Sequence, residues 1–148
     1  MKSIVAAAIG LCALPAFAFA APFEHFPAGT PGAPAPAFSA AVEAGDTLYV
    51  SGTTDGTDPE TGKPPVDATA GAKVVLNNVK QTLEKAGYTM DDLVWVQVFT
   101  SDLKYYGDFN AVYRTYFKGP LPARAFIGAG SLLGGARFEV MGIARKSR

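Results

Sequence analysis

The spacing of apolar residues in the middle of the chain predicts an amphipathic helix, because they recur every three to four positions. Asp67 or Thr69 can cap its start, and Gly87 provides a C′ glycine at its end. Its expected buried positions are Ala72, Val75, Leu76, Val79, Leu83 and Ala86. A second helix is predicted over residues 102–119, and its spacing indicates packing roles for Phe109, Val112, Tyr113, Tyr116 and Phe117.

Runs of β-branched and aromatic residues predict the strands of one sheet. They cover residues 38–42, 47–52, 93–100, 124–130 and 138–144. We expect the last two strands to close around a turn at Gly134-Gly135. A loop with turn chemistry separates the second strand from the first helix. The order β-β-(β)-α-β-α-β-β, with one strand uncertain, predicts an α+β or mixed α/β domain with both helices on one face of the sheet.

The N-terminus has the layout of a secretory signal peptide. Lys2 precedes an apolar run that ends in Ala18-Phe19-Ala20, an A-x-A cleavage pattern. An uncleaved membrane anchor is the alternative, but Gly10 and Pro15 interrupt a run that barely reaches spanning length. We therefore expect a periplasmic or secreted protein that has no membrane attachment after cleavage.

Three segments follow from this reading. Residues 1–20 form the signal peptide, residues 21–36 a flexible lead-in rich in Pro, Ala and Gly, and residues 37–148 a single domain. The only cysteine, Cys12, lies in the signal, so the mature protein has no thiol chemistry. The only histidine, His25, lies in the lead-in, which disfavours a histidine-based catalytic triad.

Charge and the spacing of acidic residues exclude further classes. The chain has 13 Lys and Arg against 13 Asp and Glu, a balance that disfavours a nucleic-acid footprint. Asp55, Asp58 and Glu60 loosely suggest a calcium loop, but they do not meet the EF-hand spacing, and acidic residues are common in turns. We therefore expect neither nucleic-acid binding nor a metal site.

Two charged residues interrupt otherwise apolar strands. Arg124 lies in Pro122-Ala123-Arg124-Ala125-Phe126, and Glu139 lies in Phe138-Glu139-Val140. Burying an unpaired charge is costly, so each must face solvent, a partner or a ligand. A structural ion pair between the two, or outward-facing positions, is the alternative to a ligand site.

Several short segments between about residue 38 and residue 146 have a specific order and spacing. These are Leu48-Tyr49-Val50-Ser51-Gly52, Asp58-Pro59-Glu60-Thr61-Gly62, Leu76-Asn77-Asn78-Val79-Lys80, Leu83-Glu84-Lys85-Ala86-Gly87, Thr100-Ser101-Asp102-Leu103, Phe109-Asn110-Ala111-Val112-Tyr113 with Tyr116-Phe117, Pro122-Ala123-Arg124, and Glu139-Val140 with Ile143-Ala144. In these segments the chain resembles the Rid family of enamine/imine deaminases, also called YjgF-like or L-PSP proteins.

The resemblance implies a chorismate-mutase-like α+β fold, assembled as a homotrimer with ligand sites in the clefts between subunits. It implies that Arg124 grips a substrate carboxylate and that Glu139 positions or activates water. The implied substrates are enamines of the 2-aminoacrylate type and their imine tautomers, which are hydrolysed to a 2-keto acid and ammonia. It implies neither a cofactor nor a metal.

Other positions of the expected site include departures from the family pattern. Gly52 and Asn110 match family segments and are expected to line the substrate cleft, although a surface or capping role for Asn110 is equally open. Phe38 stands where deaminating members commonly have Tyr, and Thr53 where Gln is common. Phe126 stands where Cys or a smaller residue is frequent, so we expect it to narrow the pocket and alter the substrate.

Two other functions remain open at this point. A non-catalytic periplasmic module that captures a small carboxylate, or acts as a chaperone, would bind ligand without turnover. An endoribonuclease is a further alternative, because some family members are described that way, but the neutral charge disfavours it. Trp95, in the middle of a strand, is expected in the core or in a subunit interface.

Overall fold

A computed structural model describes residues 23–29, 32 and 34–146, so the predicted signal peptide at residues 1–20 lies outside the described residues. Six strands and two helices follow one another in the order β-β-β-α-β-α-β-β. They are β1 (Glu24–Pro27), β2 (Ser39–Ala44), β3 (Thr47–Thr54), α1 (Ala68–Lys85), β4 (Leu93–Thr100), α2 (Tyr106–Tyr113), β5 (Ala123–Gly128) and β6 (Phe138–Arg145). The predicted order of the two helices and of the five strands with assigned ranges is therefore confirmed, and β1 is an additional strand.

All six strands belong to one mixed sheet, in the order β1-β2-β3-β6-β4-β5. Only β4 and β5 run parallel; the other neighbours are antiparallel. The prediction that β5 and β6 close around a hairpin turn is wrong. The chain leaves the edge strand β5, passes a short 3-10 turn at Leu133–Gly135, and inserts β6 between β3 and β4.

Helix α1 forms as its spacing predicts. The side chain of Asp67 accepts a hydrogen bond from the Ala70 amide at 2.7 Å, which satisfies one of the free amides of the first turn. Gly87 takes a positive φ of 74° just after the helix, which a residue with a side chain rarely adopts. The buried face packs on the sheet through residues that include Ala72, Val75, Leu76, Val79 and Leu83.

Helix α2 is shorter than the predicted 102–119, because 3-10 turns at Leu103–Tyr105 and Arg114–Tyr116 flank it. The ring of Phe109 is fully buried, and its centroid lies 4.9 Å from that of Phe138 on β6. Both helices pack on the same face of the sheet, which we call the inner face.

The lead-in contains regular structure that the composition did not predict. Glu24–Pro27 form β1, which pairs antiparallel with β2 at the edge of the sheet. The expectation of a flexible segment over residues 21–36 is therefore wrong for these four residues. The Nδ1 atom of His25 lies 3.2 Å from the hydroxyl of Ser39, which links the two strands near the start of β2.

In the part of the chain that the structure describes, no helix packs on the opposite face of the sheet, which we call the outer face. Strand register places a row of mostly apolar side chains across five strands of this face: Val42, Tyr49, Ile143, Trp95 and Ala123. Tyr49 is half-exposed, while Trp95 and Ile143 are partly buried. Within the described residues, none of the helices is long and apolar enough to cross a membrane.

Candidate active site

Arg124 projects from edge strand β5 towards the inner face. It lies beside the fully buried Val96 of β4, and paired residues of neighbouring strands share one face of a sheet. Its Nη2 atom donates a hydrogen bond to Oδ1 of Asn110 on α2, at 2.6 Å. Asn110 is therefore the residue that orients the guanidinium.

Four aromatic rings surround the Arg124 guanidinium. Its Cζ atom lies 4.6 Å from the ring centroid of Tyr113 and within 5.9 Å of those of Tyr106, Phe109 and Phe126. The π faces attract the cation, and their low polarity strengthens its attraction for an anion. The enclosure therefore gives β5 a half-buried cation suited to a carboxylate, whose two oxygens match the planar guanidinium.

Phe126 belongs to this enclosure. Its ring centroid lies 5.0 Å from Tyr106 and 5.5 Å from Phe109, on the inner face. The expectation that Phe126 narrows the pocket stays a prediction. Phe126 also contacts Arg124, with its ring centroid 5.7 Å from the Cζ atom of the guanidinium.

A small cleft of about 110 Å³ opens beside Arg124. Its wall includes Asn110, Tyr113, Arg114, Leu121, Pro122 and Arg124. The Tyr113 hydroxyl and the Arg124 Nη1 atom are both buried without a hydrogen-bond partner. Burial raises the pKa of Tyr113 to about 12, against the opposing effect of the Arg124 charge, so its hydroxyl keeps its proton at neutral pH.

Glu139 lies on the outer face. Glu139 pairs with Phe99 of β4. Phe99 lies three residues beyond Val96, whose side chain is on the inner face, and side chains alternate between the two faces along a strand. Phe99 and Glu139 therefore share the outer face. The half-buried Glu139 carboxylate lies against Gly52 of β3, where an added Cβ would clash with Oε1. A bulge in β3 creates this contact, because Ser51 and Gly52 together occupy one position of the β6 register.

A larger cavity of about 780 Å³ adjoins Glu139. Its wall includes Phe38, Gly52, Thr53 and Glu139, together with Asn78 and Lys85 of α1. Phe38 is 58% exposed, so its ring is available to a ligand or to another chain. The structure therefore brings together three expected site residues in this cavity: Phe38, Gly52 and Glu139.

The expected site is thus divided between the two faces of one sheet. Arg124, Asn110 and Phe126 lie on the inner side at the β5 edge, whereas Glu139 and Gly52 lie on the outer side. The ion pair considered for Arg124 and Glu139 is not among those of the described residues.

Sequence reasoning missed two residues of the small cleft. Tyr113 was assigned to helix packing, and Arg114 was not considered. Both follow Asn110 by three or four positions, which places them on the same side of a helical segment as Asn110. This spacing could have indicated Tyr113 and Arg114, but only after the hydrogen bond between Asn110 and Arg124 is known.

The acidic loop has a structural role. Asp55 is buried, and its Oδ1 atom accepts hydrogen bonds from the amides of Arg137 and Phe138, both at 2.8 Å. Asp58 accepts from the Glu60 amide at 2.9 Å within its own turn. The described residues contain no group of three or more His, Cys, Asp or Glu side chains able to hold a metal ion.

Comparison with known proteins identifies the family. The sequence pattern described as "Endoribonuclease L-PSP" matches residues 30–146. A mouse protein named 2-iminobutanoate/2-iminopropanoate deaminase is 37% identical over 108 residues, which cover 72% of this chain and 79% of the mouse protein.

Solved structures share the fold over most of both chains. RidA from a Psychrobacter species is 32% identical with a TM-score of 0.71, covering 82% of this chain and 94% of its own. TdcF from E. coli, solved with bound serine, is 28% identical with a TM-score of 0.74, covering 84% and 100%. The chain therefore belongs to the L-PSP family, the Rid or YjgF-like family that its sequence segments resemble.

Proposed function

We propose that this protein hydrolyses reactive enamine and imine intermediates of the 2-aminoacrylate type to 2-keto acids and ammonia. The observation that carries the proposal is the Arg124 guanidinium, oriented by Asn110 and enclosed by aromatic rings at an open sheet edge. The name of the mouse relative supports the reaction, and the serine bound to TdcF supports an amino-acid-like ligand.

Arg124 binds the substrate carboxylate in this proposal. Asn110 accepts from only one of the guanidinium nitrogens, at 2.6 Å, so other N–H groups remain for two carboxylate oxygens. The carboxylate also neutralises a cation that the aromatic rings partly remove from water. Arg124 thereby fixes the position of the C=N carbon without taking part in proton transfer.

Glu139 activates the attacking water in this proposal. The carboxylate takes a proton from a water molecule as the water oxygen bonds to the C=N carbon. The proton then goes to the nitrogen, which gives a carbinolamine. As the C–N bond breaks, the hydroxyl proton of the carbinolamine also passes to the nitrogen through Glu139, so ammonia leaves and the carbon becomes the C=O group of the keto acid. One water is consumed per imine and no electrons are exchanged, so an enamine needs only a prior proton shift from nitrogen to carbon. Proton transfer of this kind contributes about 10²–10⁴-fold to the rate.

A homotrimer would bring the two halves of the site together. Arg124 and Glu139 lie on opposite faces of their own sheet, so one chain supplies the carboxylate-binding half and another supplies the water-activating half. The row of mostly apolar residues that includes Tyr49, Trp95 and Ile143 gives each chain a surface that a second copy can bury. This arrangement places the reaction between subunits.

The proposed working compartment is the periplasm or the extracellular space. The support is the pattern at Ala18-Phe19-Ala20 after an apolar run. N-terminal sequencing of the protein recovered from a periplasmic extract tests this, and a mature chain that begins at Ala21 is the expected result. Recovery only from the cytoplasm with Met1 intact would contradict it.

A coupled assay tests the reaction. An amino-acid oxidase generates imino acids in situ, and the mature protein should accelerate the release of ammonia and keto acid. Glu139→Gln should lower kcat about 10²–10⁴-fold, and Arg124→Ala should abolish detectable turnover because nothing then fixes the position of the C=N carbon. Saturable binding of keto acids without turnover, by correctly folded protein, would instead assign the chain to the non-catalytic binding class.

A further inference from the structure

Several hydrogen-bond donors around the small cleft beside Arg124 have no partner within the described residues. The Arg124 Nη1 atom and the Tyr113 hydroxyl, on a residue only 3% exposed, have no partner. Among the described residues, the Arg114 side chain makes neither a hydrogen bond nor an ion pair. The side-chain acceptor of the wall, Oδ1 of Asn110, is already used by Arg124.

Two guanidinium groups therefore line one cleft of about 110 Å³ without a carboxylate among its lining residues. Arg114 is exposed, so its long side chain can turn towards the cleft, whose wall also includes the apolar Leu121 and Pro122. An anion in the cleft is attracted by both cations. The volume is several times the roughly 30 Å³ that one water occupies in the liquid, so the cleft has room for a carboxylate group.

We propose that Arg114 is a specificity-determining residue and that the preferred substrate is an imino acid with a second carboxylate. This inference rests on the proposed function, and it assigns the substrate class within it. Arg124 binds the carboxylate next to the C=N carbon. Arg114, one helical turn beyond Asn110, binds the acidic side chain, while the Tyr113 hydroxyl is the remaining donor in the wall.

The test compares two imino acids made in situ by amino-acid oxidases, one from glutamate and one from 2-aminobutyrate. Wild-type protein should have the higher kcat/KM for the imine of glutamate. Arg114→Gln should lower the ratio of the two kcat/KM values about 10- to 100-fold, the effect of one charge-assisted hydrogen bond. Calorimetry with 2-oxoglutarate and 2-oxobutanoate gives a second readout, in which Arg114→Gln should weaken mainly 2-oxoglutarate.

Lys118→Gln is the matched control. Lys118 is an exposed cation four residues beyond Arg114 that does not line the cleft, so its loss should leave the ratio unchanged. A wild-type preference for the imine of 2-aminobutyrate, or a ratio unchanged in Arg114→Gln, would overturn the inference and leave the proposed function intact. Loss of the assembly in Arg114→Gln would also overturn it, because Arg114 would then belong to a subunit interface. Absence of turnover on both imines would instead contradict the proposed function.

Discussion

Glycine at position 52 leaves the space that a side chain on a neighbouring strand occupies. A Cβ there would occupy the place of the Glu139 carboxylate, whereas the nearby Gly56 has its nearest neighbours at 3.5–3.7 Å, an ordinary contact. The sequence placed both Gly52 and Glu139 in the site through the family resemblance. It could not show that they touch, because their contact depends on the β3 bulge and the β3–β6 register.

The Gly52→Ala substitution should therefore displace Glu139. Because a displacement of about 1 Å at a catalytic group can cost 10²-fold, we expect kcat in the imine assay to fall by about that factor. Gly56→Ala is the control and should retain activity. Full activity in Gly52→Ala would show that the position of Glu139 does not limit the reaction.

Arg124 illustrates what residue chemistry alone can predict. A guanidinium in an apolar strand indicated either an ion pair or a ligand site. In the structure, Arg124 is hydrogen-bonded to Asn110 and surrounded by four aromatic rings. The face on which it lies, and the role of Tyr113, depend on the packing of α2 against β5. Neither follows from the spacing of residues within a single element.

At the scale of elements, periodicity predicted the position and buried face of α1 closely. It did not predict the order of the strands in the sheet. Seven residues of the α1 buried face follow helical spacing, so local pattern was sufficient there. The predicted β5–β6 hairpin is wrong because two strand sequences separated by a glycine turn have the same pattern whether or not the strands pair with each other. Strand β1 was missed because its sequence, EHFP, lacks β-branched residues; it forms through pairing with β2.

Asp55 joins the end of β3 to the start of β6. Asp55→Ala would leave two amides, those of Arg137 and Phe138, without their acceptor in a buried site. We expect the free energy of unfolding to fall by about 2–4 kcal/mol, measured by denaturant titration at fixed protein concentration. Asp58→Ala should cost much less, because the Asp58 hydrogen bond lies in an exposed turn. Equal losses for the two variants would contradict this assignment.

At the scale of the whole molecule, the outer face is the surface through which we expect the subunits to associate. Ile143 lies between Tyr49 and Trp95 in the mostly apolar row. A glutamate at position 143 would place a charge where we expect subunits to meet, so Ile143→Glu should convert the trimer to monomers in light scattering after size-exclusion chromatography. Val66→Glu, at a site 88% exposed away from the sheet, is the control. A trimer that persists in Ile143→Glu would exclude this face as the interface.

Complementation between inactive variants tests the central claim most directly. Arg124→Ala and Glu139→Gln are co-expressed in equal amounts, and the mixed assembly is compared with each variant alone in the imine assay. If every site takes Arg124 from one chain and Glu139 from another, random assembly restores about one quarter of wild-type activity. Activity no higher than that of the separate variants, in assemblies shown to contain both chains, would contradict a site shared between subunits.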